Sequence, residues 1–299
     1  MRSEASTHKR NGLFRNAEVL ASRRTGRITA ALCLTSLLSG CGTLPNGRGW
    51  GQDASLTPGW GRIGRAAKEA ALATETWAPA AGALALQIGN ADRHVQEWAA
   101  KHTPVFGSQQ TADRMSDNLV RASGALWLAS GLATPSEGDG GAEHGSGDET
   151  DEWLPNKARG LGVQTGAGVV VRSTVGILKD ATKRTRPNGL GQSSFPSSHA
   201  SQAAVFTTMA SKNVDTFGWS DNAVSASRFG LGTLTAATAW ARVDADQHYP
   251  SDVLAGIALG HFFGVFITGA FLGVDDPNRV MVMFEPSRYG HVMIVRFGL

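Results

Sequence analysis

The sequence predicts an all-α protein, and three observations support this prediction. Apolar residues recur at helical spacing in most segments after Gly61, and strand-type alternation is scarce before residue 279. Hydrophobic residues make up 41% of the 299 residues and charged residues 18%, a composition that suits a large buried core. The predicted helices cover residues 63–76, 80–89, 91–102, 112–133, 155–182, 196–212, 222–243 and 249–273.

The N-terminal segment 1–40 has the form of a secretion signal. Arg23, Arg24 and Arg27 precede an apolar run over 28–38 that is too short to span a bilayer. The run ends in Leu-Ser-Gly-Cys41, which resembles a bacterial lipobox, so we expect Cys41 to be lipidated and to become the first mature residue. No aspartate follows Cys41, which favours a lipid anchor in the outer membrane of the cell envelope, facing the periplasm.

The charge distribution argues against a nucleic-acid partner. Residues 1–40 contain seven Lys or Arg and two acidic residues, a net charge of +5, whereas the whole chain carries +3. The remainder of the chain therefore carries −2 and has no general footprint for a polyanion.

Composition divides the remaining chain into three parts. Residues 41–60 are rich in Gly and Pro and are expected to form a tether, and residues 61–275 to form the helical domain. Within that domain, 135–152 contains seven acidic residues and no Lys or Arg; it predicts a surface loop, because the acids lack a metal-ligand spacing. In 276–299, two apolar runs flank 286–290, which predicts a small C-terminal β-hairpin.

The segment 253–273 is long and apolar enough to span a bilayer and carries no formal charge. His261 interrupts it, however, and Gly256, Gly260 and Gly264 repeat every four residues. One bare helix face allows a neighbouring helix to approach closely. We therefore expect a buried central helix in a soluble bundle, with His261 as a satisfied core residue.

The stretch from Pro196 to His199 predicts an anion site at a helix start. Proline is favoured in the first helical turn, and the free N–H groups of Ser197, Ser198 and His199 would lie at the positive end of the helix dipole. A histidine at this position is placed to protonate a departing oxygen.

Two further segments carry residues suited to the same site. Upstream, Lys179 is followed after six residues by Arg186 and Pro187; downstream, Arg242 is followed after five residues by His248, and Asp252 comes four residues later. Three cations, two histidines and one carboxylate suit a tetrahedral oxyanion.

These three blocks resemble those of the type 2 phosphatidic acid phosphatase superfamily, which includes lipid phosphatases, bacterial nonspecific acid phosphatases and vanadium haloperoxidases. The family pattern is Lys-x6-Arg-Pro, then Pro-Ser-Gly-His, then Ser-Arg-x5-His-x3-Asp. This chain departs from it at Ser198, in the glycine place, and at Ala241, in the serine place. The motifs span 179–252, and the helical likeness extends over 160–273.

The resemblance implies a helical bundle of the phosphatidic acid phosphatase/haloperoxidase type and metal-free phosphoryl transfer without a cofactor. It implies that His248 attacks phosphorus, that Asp252 orients His248, and that His199 protonates the leaving oxygen. The phosphate ligands implied are Lys179, Arg186, Ser197, Ser198 and Arg242. The expected partners are a phosphorylated small molecule or lipid and, through Cys41, a membrane.

Two other functions stay open at this point. A vanadium-dependent haloperoxidase would use the same scaffold, and a non-catalytic envelope lipoprotein would keep the fold alone. The substrate is also open. Lys183 and Arg184 are expected to face solvent or a substrate head group, and Asp244 and Asp246 to be solvated.

Overall fold

The computed structural model describes residues 43–44, 48–137, 150–273, 280–287 and 290–297, all within the compact unit Cys41–Leu299. The predicted signal peptide, the lipidation site Cys41 and most of the acidic loop lie outside the described residues. Their structures therefore stay predictions.

The described residues contain eight α-helices, which confirms the all-α prediction for the body of the chain. The helices are α1 Trp60–Leu72, α2 Thr74–Ala85, α3 Ala91–His102, α4 Gln109–Ala133, α5 Thr150–Thr182, α6 Ser198–Val214, α7 Asp221–Asp244 and α8 Pro250–Ile267. A 3₁₀ turn, Ile88–Asn90, precedes α3, and a π-helical turn, Thr268–Leu272, follows α8.

The glycine repeat of α8 lies directly against α6. A Cβ atom at Gly256 would lie 2.7 Å from the Ser197 carbonyl oxygen, and one at Gly264 would lie 2.8 Å from Thr208 Cγ2. At Gly260 a Cβ would overlap the Ser201 carbonyl oxygen and approach Ala204 Cβ to 2.8 Å. The predicted close approach of a neighbouring helix is therefore present, and α6 is that helix.

This packing brings the N-termini of α6 and α8 together at one end of the bundle. The Ser197 N–H, at the start of α6, donates to the Asp252 carbonyl oxygen at 3.0 Å. α7 ends at Asp244, and the Gln247 and His248 N–H groups fold back onto the Arg242 carbonyl at 3.1 and 3.3 Å. Three chain segments thus meet where the two helix dipoles are positive.

Besides the segment noted in the sequence, α5 is a second long apolar helix. Both Trp153–Thr182 and Pro250–Leu272 are long and apolar enough to cross a membrane, a test that core helices of soluble proteins also pass. Only 22% of the apolar window in α5 is buried, against 44% for the second segment. Leu154, Val169 and Ile177 are exposed apolar side chains of α5.

Part of the segment expected to be a tether is packed into the bundle. Trp50 is fully buried, and its backbone N–H donates to the Pro135 carbonyl oxygen at 2.7 Å. Its ring lies where a Cβ atom of Gly160 would stand, so the absence of a side chain there makes room for the indole. A flexible linker therefore cannot include Trp50, because the burial of an indole ties this stretch to the bundle.

The C-terminal strands β1, Val280–Ser287, and β2, Gly290–Phe297, pair antiparallel, with Val280 opposite Phe297 and Pro286 opposite His291.

Candidate active site

Lys179 and Arg186 converge on Ser193. The Lys179 ammonium, in the last turn of α5, donates to the Ser193 carbonyl oxygen, and an Arg186 Nη atom donates to the Ser193 hydroxyl at 3.2 Å. Arg186 also donates to the Gln247 side chain, just before His248. The first and third sequence blocks are therefore adjacent in space.

Arg242 lies in the last turn of α7 and is 5% exposed. One Nη atom donates to Asp113 Oδ1 at 2.6 Å and to Ser116 Oγ at 2.9 Å, both on α4. Its Nε, like that of Arg186, is buried without a hydrogen-bond partner among the described residues. Both guanidinium groups thus retain donor capacity that an oxyanion would use.

His248 is a buried, neutral imidazole. It is 2% exposed, and burial, helped by the charges of Arg242 and Lys179, lowers the pKa of His248 to about 4. Its Nδ1 lies 3.7 Å from Asp252 Oδ2, which is longer than a hydrogen bond. His248 and Asp252 are therefore neighbours that do not share a hydrogen bond in this structure. At neutral pH the His248 ring is uncharged, so one of its nitrogens keeps the free lone pair that a nucleophile requires.

Asp252 is held by three other donors. Its Oδ2 accepts from the Ser194 hydroxyl at 2.5 Å and from the Tyr249 N–H at 2.9 Å, and its Oδ1 accepts from Arg184 at 2.7 Å. Burial alone would raise the pKa of Asp252, but the neighbouring His248, the Ser194 hydroxyl, the Arg184 charge and the Tyr249 N–H keep it below its usual value. The carboxylate is therefore ionised and fixed in position beside His248.

Arg184 is the main residue that the sequence reasoning missed. Rather than facing solvent, it bridges Asp252 and Asp92 of α3, with an Nη atom 2.6 Å from Asp92 Oδ2, and its guanidinium lies 4.3 Å from the centre of the Tyr249 ring. Asp92 also accepts from the Ser251 N–H at 2.8 Å. No local pattern in the sequence indicates this bridge, because Asp92 is 92 residues away from Arg184.

His199 is the second residue of α6 and contacts α4. Its Nε2 lies 2.8 Å from Asp117 Oδ1. Burial and the Arg242 charge lower the pKa of His199, and the Asp117 carboxylate partly offsets them. The hydrogen bond to His199 lowers the pKa of Asp117.

The first turn of α6 is where the sequence predicts an anion site, but the Ser197 N–H is not free as expected, because it donates to the Asp252 carbonyl oxygen. Ser197 is the N-cap, and its hydroxyl accepts from the Ala200 N–H at 3.4 Å, so this hydroxyl caps the helix. Ser198 and His199 begin the helix, where backbone N–H groups have no partner one turn earlier. Their N–H groups point along the dipole and are suited to bind phosphate oxygens.

The cations of the site repel one another. Burial and the neighbouring Arg186 lower the pKa of Lys179 to about 8. A bound oxyanion would relieve this repulsion, so the cluster favours a polyvalent anion. Among the described residues, no group of three or more His, Cys, Asp or Glu side chains is arranged to hold a metal ion.

Three sequence expectations outside the site have different outcomes. His261 is a satisfied core residue, as predicted, because its Nδ1 lies 2.8 Å from Thr76 Oγ1. Asp244 was expected to be solvated but is fully buried, and burial raises its pKa. Asp246 is half-buried, with its carboxylate bonded to Gln96 of α3.

Comparisons with known proteins find a family similarity in one segment of the chain. No curated protein matches the chain. Among solved structures, the chain is similar to a transmembrane PAP2 type phosphatidylglycerolphosphate phosphatase from Bacillus subtilis, with 17% identity and a TM-score of 0.45; the match covers 62% of this chain and 89% of that chain. Residues 160–273, which contain all three blocks, match the model of the PAP2 superfamily, and this segment is therefore the part of the chain that is similar to that superfamily.

Proposed function

We propose that the protein is a metal-independent phosphatase that hydrolyses phosphate monoesters or diphosphates through a phosphohistidine. The observation that carries the proposal is the convergence of Lys179, Arg186 and Arg242 around the neutral His248, beside the first turn of α6. The similarity of residues 160–273 to the PAP2 superfamily supports it.

In the first step, His248 Nε2 attacks phosphorus, because Nδ1 faces Asp252. The N–P bond forms as the P–O bond to the leaving group breaks, and His199 donates its proton to the leaving oxygen. Asp252 stabilises the positive charge that develops on the His248 ring.

In the second step, water attacks the phosphohistidine. His199 accepts the proton of that water as the N–P bond breaks, which releases inorganic phosphate and restores both histidines. Lys179, Arg186, Arg242 and the α6 N–H groups bind the equatorial oxygens throughout, so positive charge comes from side chains and the helix dipole.

The test is phosphate release from a panel of aryl, alkyl and lipid phosphates, with His248→Ala as the inactive variant. We expect turnover to fall below detection in His248→Ala and to be unchanged in His94→Ala, which removes an exposed histidine on α3. The phosphoenzyme trapped by acid-free quenching should carry its phosphate on His248. A label on any other residue would reject the mechanism.

We also propose that the protein is anchored at the periplasmic face of the outer membrane through lipidated Cys41, without a spanning helix. Support comes from the lipobox-like sequence before Cys41 and from the exposed apolar side chains of α5, which suit contact with a lipid surface. Such an anchor places the site near phosphorylated lipids, which we propose as a substrate class beside soluble esters.

A further inference from the structure

Asp117 is absent from the three sequence blocks, yet it contacts a histidine that the proposed reaction uses. Asp117 follows Asp113 and Ser116 on α4 at the spacing that puts all three on one helix face. The first two bind Arg242, and the third binds His199. One face of α4 therefore contacts two residues of the proposed site: Arg242, a proposed phosphate ligand, and His199, the proposed proton donor.

The surroundings of His199 otherwise oppose its protonation. The ring lies at the positive end of α6, is largely buried, and feels the charge of Arg242. Asp117 raises the pKa of His199 more than any other neighbour does, through its hydrogen bond and its charge. A general acid needs its proton at the working pH, so this carboxylate favours the form that the reaction requires.

The contact also distinguishes the two ring nitrogens. Asp117 occupies Nε2, which leaves Nδ1 as the nitrogen that can exchange a proton with a substrate. Half of the Asp117 side chain is exposed, so its replacement does not leave a hole in the core.

We propose that Asp117 is the positioning residue of His199, and that its hydrogen bond to Nε2 aims Nδ1 at the oxygen of the leaving group. The inference rests on the proposed phosphatase function. As the P–O bond breaks, the proton passes from Nδ1 to the leaving oxygen, while the Nε2 proton stays hydrogen-bonded to Asp117 and the ring becomes neutral.

The kinetic test compares Asp117→Asn with wild type on two esters. We expect kcat/KM to fall on the order of 30-fold for ethyl phosphate, whose alkoxide needs a proton, and at most about 3-fold for p-nitrophenyl phosphate, whose phenolate does not. Asp117→Glu should recover part of the ethyl phosphate rate. Equal losses on the two esters, or a gain in activity, would overturn the inference.

A matched variant separates the contact from the charge. Asn118 is the next residue of α4 and is exposed, so Asp117→Asn/Asn118→Asp keeps the charge of the helix but moves the carboxylate by one position. We expect this double variant to be as impaired on ethyl phosphate as Asp117→Asn. Full recovery in the double variant would show that only the charge matters and would overturn the proposed positioning.

A histidine NMR titration of the full chain tests the contact without turnover, with the His199 signal assigned from His199→Gln. We expect the pKa of His199 to fall in Asp117→Asn and to stay unchanged in Asn118→Asp. An unchanged pKa in Asp117→Asn overturns the inference. A wild-type protein that hydrolyses none of the esters, yet shows this fall, overturns the proposed function instead.

Discussion

At the scale of single residues, Lys179 is proposed to bind phosphate, and its charge depends on pH close to neutrality. Its pKa is lowered to about 8, mainly by burial. The cationic form is therefore complete well below pH 8 and is lost as the pH rises through that value. The pKa of His248, lowered to about 4, sets the opposite limit, because the nucleophile is protonated below it.

We therefore expect kcat/KM for p-nitrophenyl phosphate to be bell-shaped, with an acidic limb near pH 4 and an alkaline limb near pH 8. Lys179→Arg should move the alkaline limb to higher pH, because a guanidinium stays charged. Lys183→Arg, at an exposed position four residues later, is the control and should leave the profile unchanged. An alkaline limb that stays in place in Lys179→Arg would assign it to another group.

At the scale of helices, the site depends on how closely α6 and α8 approach. Gly260 leaves no room for a methyl group, because a Cβ there would overlap the Ser201 carbonyl oxygen and press on Ala204. Neither contact lies at the end of a flexible side chain, so the helices themselves must separate. Their N-termini carry His199 and Asp252, and the separation would disturb the site.

We expect Gly260→Ala to lower the free energy of unfolding by roughly 1–3 kcal/mol, as overpacking does in well-packed cores. Gly230→Ala is the matched control, because nothing lies within 4 Å of a Cβ at that position of α7. Alanine is the better helix former, so the control should be neutral or stabilised by up to about 1 kcal/mol. Urea unfolding measures both; a Gly260→Ala protein as stable as wild type would contradict the packing.

At the scale of the whole molecule, the proposed lipid anchor can be tested at Cys41. Cys41→Ser should lose the incorporation of labelled palmitate, because no thiol remains at the lipobox-like site. A protein that starts at Gly42 behind an ordinary cleavable signal peptide should be released from membranes by alkaline carbonate, because several acyl chains make an anchor durable and this variant carries none. Wild type is the control. Retention of the shortened protein after the wash would show that α5 or α8 spans the bilayer.

The sequence by itself determined the helical class, the two helix starts that carry His199 and Asp252, and the residues expected to react. These features are local: a Pro-Ser-Ser-His or His-x3-Asp spacing reports where a helix begins and which side chains lie in its first turn. The glycine repeat of α8 likewise predicted a close neighbour, because a bare helix face is visible in the sequence.

Only the tertiary structure decided which residues support that site. Asp117 and His199 are 82 residues apart, and Arg184 and Asp92 are 92 apart, so no spacing connects them. Trp50 is a second example. The Gly- and Pro-rich composition of its segment predicts a linker, and only the packing of the indole against Gly160 shows that this stretch belongs to the bundle. Pairings of this kind arise because the packing of helices removes charged side chains from water. A charge that loses its hydration needs a partner within the protein, and that partner comes from whichever helix lies next to it.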